Sequence, residues 1–128
     1  MPIDRESGVR EGEALHASLR QNVRELCRQF PDAYWRDLEL RREYPGAFVT
    51  ALTRAGYLAA LVPGAYGGAG LGISEASVIL EEINRSGANA AACHAQMYIM
   101  GTLLRHGSEE QKQRWLPGIA DGSVRLQA

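Results

Sequence analysis

The chain has 128 residues, enough for one domain with a real core. Its 14 Lys and Arg offset 15 Asp and Glu to a net charge of −1, with both signs interspersed, which gives no electrostatic case for binding nucleic acid. Cys27 and Cys93 lie far apart, without Cys-x-x-Cys or histidine spacing, and read as free thiols of a cytoplasmic protein; no apolar run makes up the roughly 20 residues of a membrane span, and residues 1–10 lack the apolar core of a signal peptide.

Residues 1–10 read as a flexible, charged lead-in. From Glu11 to Phe30, Leu15, Leu19, Val23, Leu26 and Phe30 recur every three to four residues, an amphipathic helix that Pro31 helps to end. Residues 32–44 are mixed, with Trp35, Leu38 and Leu40 as apolar anchors. Pro45 suits a first helical position. Phe48, Leu52 and Ala55 then line one face, and Gly56 is a natural left-handed stop. Residues 57–63 are a short apolar link, read as extended.

Residues 64–72, Gly-Ala-Tyr-Gly-Gly-Ala-Gly-Leu-Gly, invite a phosphate-cradle reading. A dinucleotide fingerprint starting at Gly68 needs glycine where Ile73 stands, and no Gly-Lys-Ser/Thr follows. A tight interhelical loop that needs glycine torsions and close backbone approach fits better. Ser74 is read as the cap of the next helix, whose apolar set is Ala76, Ile79, Leu80 and Ile83. Glu81 and Glu82 point about 100° apart on a helix, so they do not converge as an acid/base pair and read as a solvated face. Gly87 ends this helix.

The segment from Ala90 to His106 is apolar on most faces, as expected of a helix at the centre of a bundle. Arg105 and His106 suit its C-terminal end, and Gly107 closes it. His94 within it is either a polar group in a ligand cavity or a hydrogen-bonded core histidine, and a lone residue favours the core. His16 and His106 read as surface groups, and no pair of histidines has metal-ligand spacing. The small and flexible residues Ala91, Ala92, Ala95, Gln96, Met97 and Met100 read, taken alone, as close helix packing with methionine filling gaps.

Ser108 is a good N-cap, with Gln111 completing a capping box and Glu109 and Glu110 favouring the helix dipole. Trp115, Leu116 and Ile119 are read as one apolar face, Pro117 as a break or kink, and Asp121-Gly122 as a turn. Residues 123–128 alternate polar and apolar, as a half-buried strand does. Together these elements predict an all-α fold, an orthogonal or up-down bundle of about five to six helices around a buried central helix from Ala90 to His106.

Three motifs, in order, resemble the N-terminal domain of the acyl-CoA dehydrogenase family. Pro63, Tyr66, Gly67, Gly68, Gly70 and Leu71 match a Pro-x-x-Tyr-Gly-Gly-x-Gly-Leu pattern that is structural there. Glu81-Glu82-Ile83 matches an acidic pair followed by an aliphatic residue. Gly107, Ser108, Gln111, Lys112, Trp115, Leu116 and Pro117 match a Gly-(Ser/Thr)-x-x-Gln-Lys-x-x-(Tyr/Trp)-Leu-Pro run. The resemblance extends from about Tyr44 to Leu126.

The resemblance implies that residues 11–122 are the family's N-terminal helical domain and that residues 123–128 begin a truncated strand domain. It implies a parent flavoprotein in which a carboxylate removes the α-proton of an acyl-CoA thioester and the β-hydrogen leaves as hydride to FAD. The reduced flavin then passes its electrons to an electron-transferring flavoprotein, and the parent is a homo-oligomer, commonly a tetramer. It also implies a second role for Ala91, Ala92, Ala95, Gln96, Met97 and Met100, as a wall of the acyl-tail pocket. The family's Thr-Glu-Pro flavin motif does not occur before Ala128, and its base lies in later domains. No catalytic, cofactor-binding or metal residue is therefore assigned, and the chain alone is expected to hold no FAD and to have no dehydrogenase activity. Alternatives are an acyl-CoA oxidase or flavin monooxygenase of the same fold, a truncated non-enzymatic helical domain that binds a partner or apolar ligand, and a plain structural bundle.

Overall fold

The computed structural model describes residues 5–125, with side chains from residue 8 onward. Six helices follow in order: α1 (Arg5–Arg28), α2 (Asp32–Arg41), α3 (Gly46–Arg54), α4 (Ile73–Arg85), α5 (Ala91–His106) and α6 (Glu109–Asp121). Two 3-10 turns, Tyr57–Ala59 and Gly64–Tyr66, lie between α3 and α4. The fold is all-α, with no strand among the described residues. The expected lead-in is helical from Arg5 onward, and residues 1–4 lie outside the described residues.

The buried stripe of α1 begins at Leu19 and continues through Val23 and Cys27, whereas Leu15 is exposed. This stripe packs along α4, through Ala76, Val78, Ile79 and Ile83. Glu82 lies in the same interface and is only 1 % exposed, which corrects its reading as part of a solvated face; Glu81 beside it is exposed as expected. Arg24 donates to Glu82 from Nε at 2.7 Å and from Nη2 at 3.0 Å. Arg20 donates to Glu82 from Nη1 at 3.0 Å and to Glu81 from Nη2 at 2.9 Å. A carboxylate is tolerated in an apolar interface only when its charge and lone pairs are met in this way.

At the end of α1 the rings of Phe30, Tyr34, Trp35 and Phe48 meet edge to face at 4.9–5.2 Å between centroids. Trp35 Nε1 donates to the Phe30 carbonyl at 3.1 Å, so the indole is both packed and satisfied. Leu38 is buried, but Leu40 is 85 % exposed and anchors nothing. Pro45 stands one residue before its expected place, as the N-cap of α3. Gly56 ends α3 at φ 84°, in the left-handed region glycine favours.

Residues 57–63 are not extended. They coil through the first 3-10 turn and bury Leu58, Ala59, Ala60 and Val62. The glycine loop folds back over them, with the Ala69, Gly70 and Leu71 amides donating to the carbonyls of Ala59, Val62 and Ala60 at 3.1, 2.8 and 2.8 Å. A Cβ at Gly68 would collide with the Val62 carbonyl, so this position requires glycine for close approach. α4 starts at Ile73 with Gly72 as its N-cap; Ser74 falls inside the first turn and makes no cap.

α5 touches α3, α4, α6 and the first 3-10 turn, and α6 touches as many elements, so contact does not single out α5 as the centre. α5 is buried on one side only. Cys93, Gln96, Met97 and Met100 form the buried stripe, while His94, Tyr98 and Thr102 are exposed. In α6 the Ser108 capping box forms, with the Gln111 amide donating to Ser108 Oγ at 3.2 Å and the Ser108 amide to Gln111 Oε1 at 2.9 Å. Leu116 and Ile119 are fully buried, but Trp115 is 42 % exposed, with the Arg114 guanidinium 4.9 Å from its ring centroid. α6 runs through Pro117 without ending, because burial of Leu116 and Ile119 on either side holds the helix where propensity alone would stop it. Gly122 caps it at φ 83°. Residues 123–125 then turn back, with the Val124 amide donating to the Gly118 carbonyl at 2.9 Å; the rest of the expected strand, residues 126–128, lies outside the described residues.

Two outcomes follow from the packing. Glu82→Gln is expected to lower stability by about 2 kcal/mol, the scale of charge-assisted hydrogen bonds, in urea unfolding near neutral pH. The hydrogen bonds from Arg24, and then those from Arg20, hold the Glu82 carboxyl below the usual carboxylate range against the burial that raises it. Its contribution is therefore present above roughly pH 5 and lost as pH falls through the lowered value, so wild type and variant converge in acid. Gly68→Ala is expected to cost about 1–3 kcal/mol by overpacking a backbone contact that cannot swing away, read as a lower urea midpoint.

Candidate functional site

The outer face of α5 is the candidate site, because three clefts open along it. Ala91, His94 and Tyr98 are exposed there, and Ala92 and Ala95 are half-buried. Three clefts flank the strip. One, of about 450 Å³, opens toward Tyr44 and Pro45 at the α2–α3 corner, with Ala91, Ala92 and Ala95 on its α5 side. A second, of about 580 Å³, lies between the start of α5 and the end of α4, at Leu80, Asn84 and Ala91. The third, of about 290 Å³, runs between α4 and α5 over Leu61, Ile73, Ala76, Leu80 and Met97. His94 lines all three, and Tyr98 lines the first and third.

The six residues singled out in the sequence divide between two sides of α5. Ala91, Ala92 and Ala95 line the first cleft, and Met97 forms the floor of the third while packing into the main core. Gln96 is buried, and its Nε2 donates to the Val124 carbonyl at 3.2 Å, tying α5 to the segment after α6. Met100 is fully buried with Leu116, Ile119, Ala59 and Val62. His94 is exposed, not a core histidine; a uniformly apolar helix gave no sign of which side it would turn outward. Tyr98, Ile73, Leu61 and Leu80 line the same clefts and were not singled out. Tyr98 was findable, since it stands one helical turn from His94.

Several other chemistries do not fit the described residues. The glycine loop cannot cradle phosphate, because the amides of residues 67–71 all donate to backbone carbonyls. Tyr66 in that loop donates its hydroxyl to Glu109 at 2.6 Å, which fastens the loop to α6. Glu82 is held ionised by arginine and is not poised as a base. No group of three His, Cys, Asp or Glu side chains among the described residues is arranged to hold a metal ion. No described helix is long and apolar enough to cross a membrane. A cleft of about 720 Å³ where α1, α2 and α4 converge is lined by Arg24, Arg28, Arg36 and Arg85 with Asp32 and Glu82, too charged for an apolar ligand.

The family model "Acyl-CoA dehydrogenase, N-terminal domain" matches residues 13–123. The acyl-CoA dehydrogenase FadE12 of Mycobacterium tuberculosis is 32% identical over 110 residues, covering 85% of this chain and 28% of that protein. The mitochondrial short-chain specific acyl-CoA dehydrogenase of Mus musculus is 32% identical over 136 residues, covering 94% of this chain and 33% of that one. Among solved structures, a variant of the Tcur3481-Tcur3483 steroid ACAD superposes with a TM-score of 0.72 at 28% identity, covering 88% of this chain and 31% of that one. The chain thus spans about a third or less of the length of these relatives.

Neither thiol is a nucleophile in the folded state. Burial pushes the Cys93 thiol up to about 12, and burial also raises Cys27. Both cysteines are expected to be unreactive toward Ellman's reagent in the native chain and to react fully on denaturation, as a time course of thiol release checks.

Proposed function

This chain belongs to the acyl-CoA dehydrogenase family, through its N-terminal domain, and we propose that it supplies one wall of the site that holds the acyl tail in a flavin-dependent acyl-CoA dehydrogenase. The observation that carries this reading is the one-sided burial of α5. Its buried stripe fixes the helix in the core, and its outer face presents small residues and apolar clefts between α4 and the α2–α3 corner. Ligand pockets are concave and mostly apolar, with a few polar groups, and this surface has the form of half such a pocket. Ala91, Ala92 and Ala95 would meet the tail, Met97 would floor the cleft beside it, and Gln96 and Met100 would hold the helix in place from behind.

The proposed parent activity is α,β-dehydrogenation of an acyl-CoA thioester, with FAD as the hydride acceptor and an electron-transferring flavoprotein as the electron partner. A homo-tetrameric parent and a cytoplasmic location belong to the same proposal. Residues 123–128 are proposed to lead into the strand domain. The glycine loop, the natural candidate for a flavin pyrophosphate, offers no cradle for one, because its amides are committed to backbone carbonyls. No catalytic step is therefore assigned within this chain; its residues bind and orient the tail and exclude water from it.

The purified chain mixed with FAD is expected to retain no flavin through gel filtration and to show no acyl-CoA-dependent bleaching. In an NMR titration, dodecanoyl-CoA is expected to shift the amides of residues 91–98, while CoA alone does not. Filling the cleft with Ala95→Trp is expected to weaken that binding by roughly fivefold or more, about 1 kcal/mol. Flavin retention with bleaching, or binding indifferent to Ala95→Trp, would contradict the reading.

A further inference from the structure

His94 and Tyr98 stand four residues apart on α5, so both rise from the same strip of its outer face. Their rings meet edge to face, with centroids 5.2 Å apart and planes at 74°. Among the described residues no group hydrogen-bonds to the His94 imidazole or to the Tyr98 hydroxyl; the one side-chain bond to Tyr98 ends on its backbone carbonyl, which accepts from Thr102 Oγ1 at 2.9 Å. The side-chain amides around the strip each have one atom engaged. Asn89 Oδ1 accepts from the Ala91 amide at 2.9 Å, Asn84 Nδ2 donates to the Leu80 carbonyl at 2.9 Å, and Gln96 Nε2 donates to Val124. Ser77, across the cleft between α4 and α5, adds a further exposed hydroxyl. The first and third clefts are mainly apolar, with Leu61, Ile73, Leu80 and Met97 on one side and Ala91, Ala92 and Ala95 on the other, while Asn89 borders the first and, with Asn84, the second.

We infer that this groove selects acyl tails carrying a hydroxyl or keto group, over plain saturated chains, through His94 and Tyr98. The inference rests on the proposed role of α5 as the tail wall. A tail laid along the strip strips water from the imidazole and the phenol. A methylene chain gives no hydrogen bond in return, and leaving a buried polar group unsatisfied is the costly half of the exchange. A hydroxyl both donates and accepts, and a keto oxygen accepts from the phenol or from a ring N–H, so either restores what water supplied. A site built to hydrogen-bond a substrate oxygen discriminates strongly against the analogue that lacks it.

The test compares dodecanoyl-CoA with a panel of twelve-carbon thioesters bearing one hydroxyl or keto group at successive positions, titrated by NMR into the labelled chain. The double variant His94→Phe with Tyr98→Phe keeps the ring bulk and removes the polar atoms, and unshifted resonances on α1 and α6 confirm that it folds. The best oxygenated tail is expected to bind roughly fivefold tighter than the saturated one, or more, and the double variant to erase that difference. Equal binding of saturated and oxygenated tails at α5 would overturn the inference while leaving the tail wall intact, as would a preference that survives in the double variant. If no thioester perturbs α5, the tail wall fails and this inference falls with it.

Discussion

The rest of the site depends on which way α5 faces, and four residues decide that. Cys93, Gln96, Met97 and Met100 fall at helical spacing, and all are buried. Cys93 and Met97 enter the core shared with α1, α3 and α4, while Met100 enters a second cluster with Leu116 and Ile119 of α6. Gln96 adds a directional tie to the Val124 carbonyl, which an apolar side chain could not make. Rotating the helix would expose these apolar residues and strand that amide, so the opposite strip, Ala91, His94 and Tyr98, is held outward.

The remaining helices hold that strip at a fixed height. α4 forms one bank of the groove, and α4 is pinned to α1 by the Glu82 carboxylate between Arg24 and Arg20. The other side of the support is the glycine loop. Its amides zip onto the segment after α3, Gly68 lies flat on the Val62 carbonyl, and the Tyr66 hydroxyl reaches Glu109 on α6. What a phosphate-binding loop would offer a ligand, this loop spends on bracing Leu61 and Ile73 beside α5.

Much of this was legible in the sequence, and the misses share a physical cause. Apolar periodicity located α1, α3, α4 and α6, because a one-sided helix carries its burial in its pattern. The capping box at Ser108 and the left-handed glycines were equally local, and the three motifs were enough to find the family. α5 was located but not oriented: with apolar residues almost all round, its period could not tell the buried stripe from the open one, and His94 went to the wrong side. Glu82 looked solvated because its partners lie some sixty positions away on α1, at a separation of 58 to Arg24 and 62 to Arg20. Trp115 followed the apolar period, but it stacks with Arg114 at the surface. Pro117 and residues 57–63 went against local propensity, and tertiary packing won in both cases.

In the proposed reading, one face of this domain is structural and the other meets an acyl tail. The same reading leaves the flavin chemistry to the rest of the parent enzyme and gives this domain the shape and polarity along the tail. Intermolecular NOEs between an acyl-CoA tail and the methyl-labelled chain test this most directly. The account predicts cross-peaks from tail protons to the methyls of Ala91, Ala92 and Ala95 and none to Met100 or Leu116. Cross-peaks confined to the arginine-lined cleft between α1, α2 and α4, or none anywhere at saturating ligand, would contradict it.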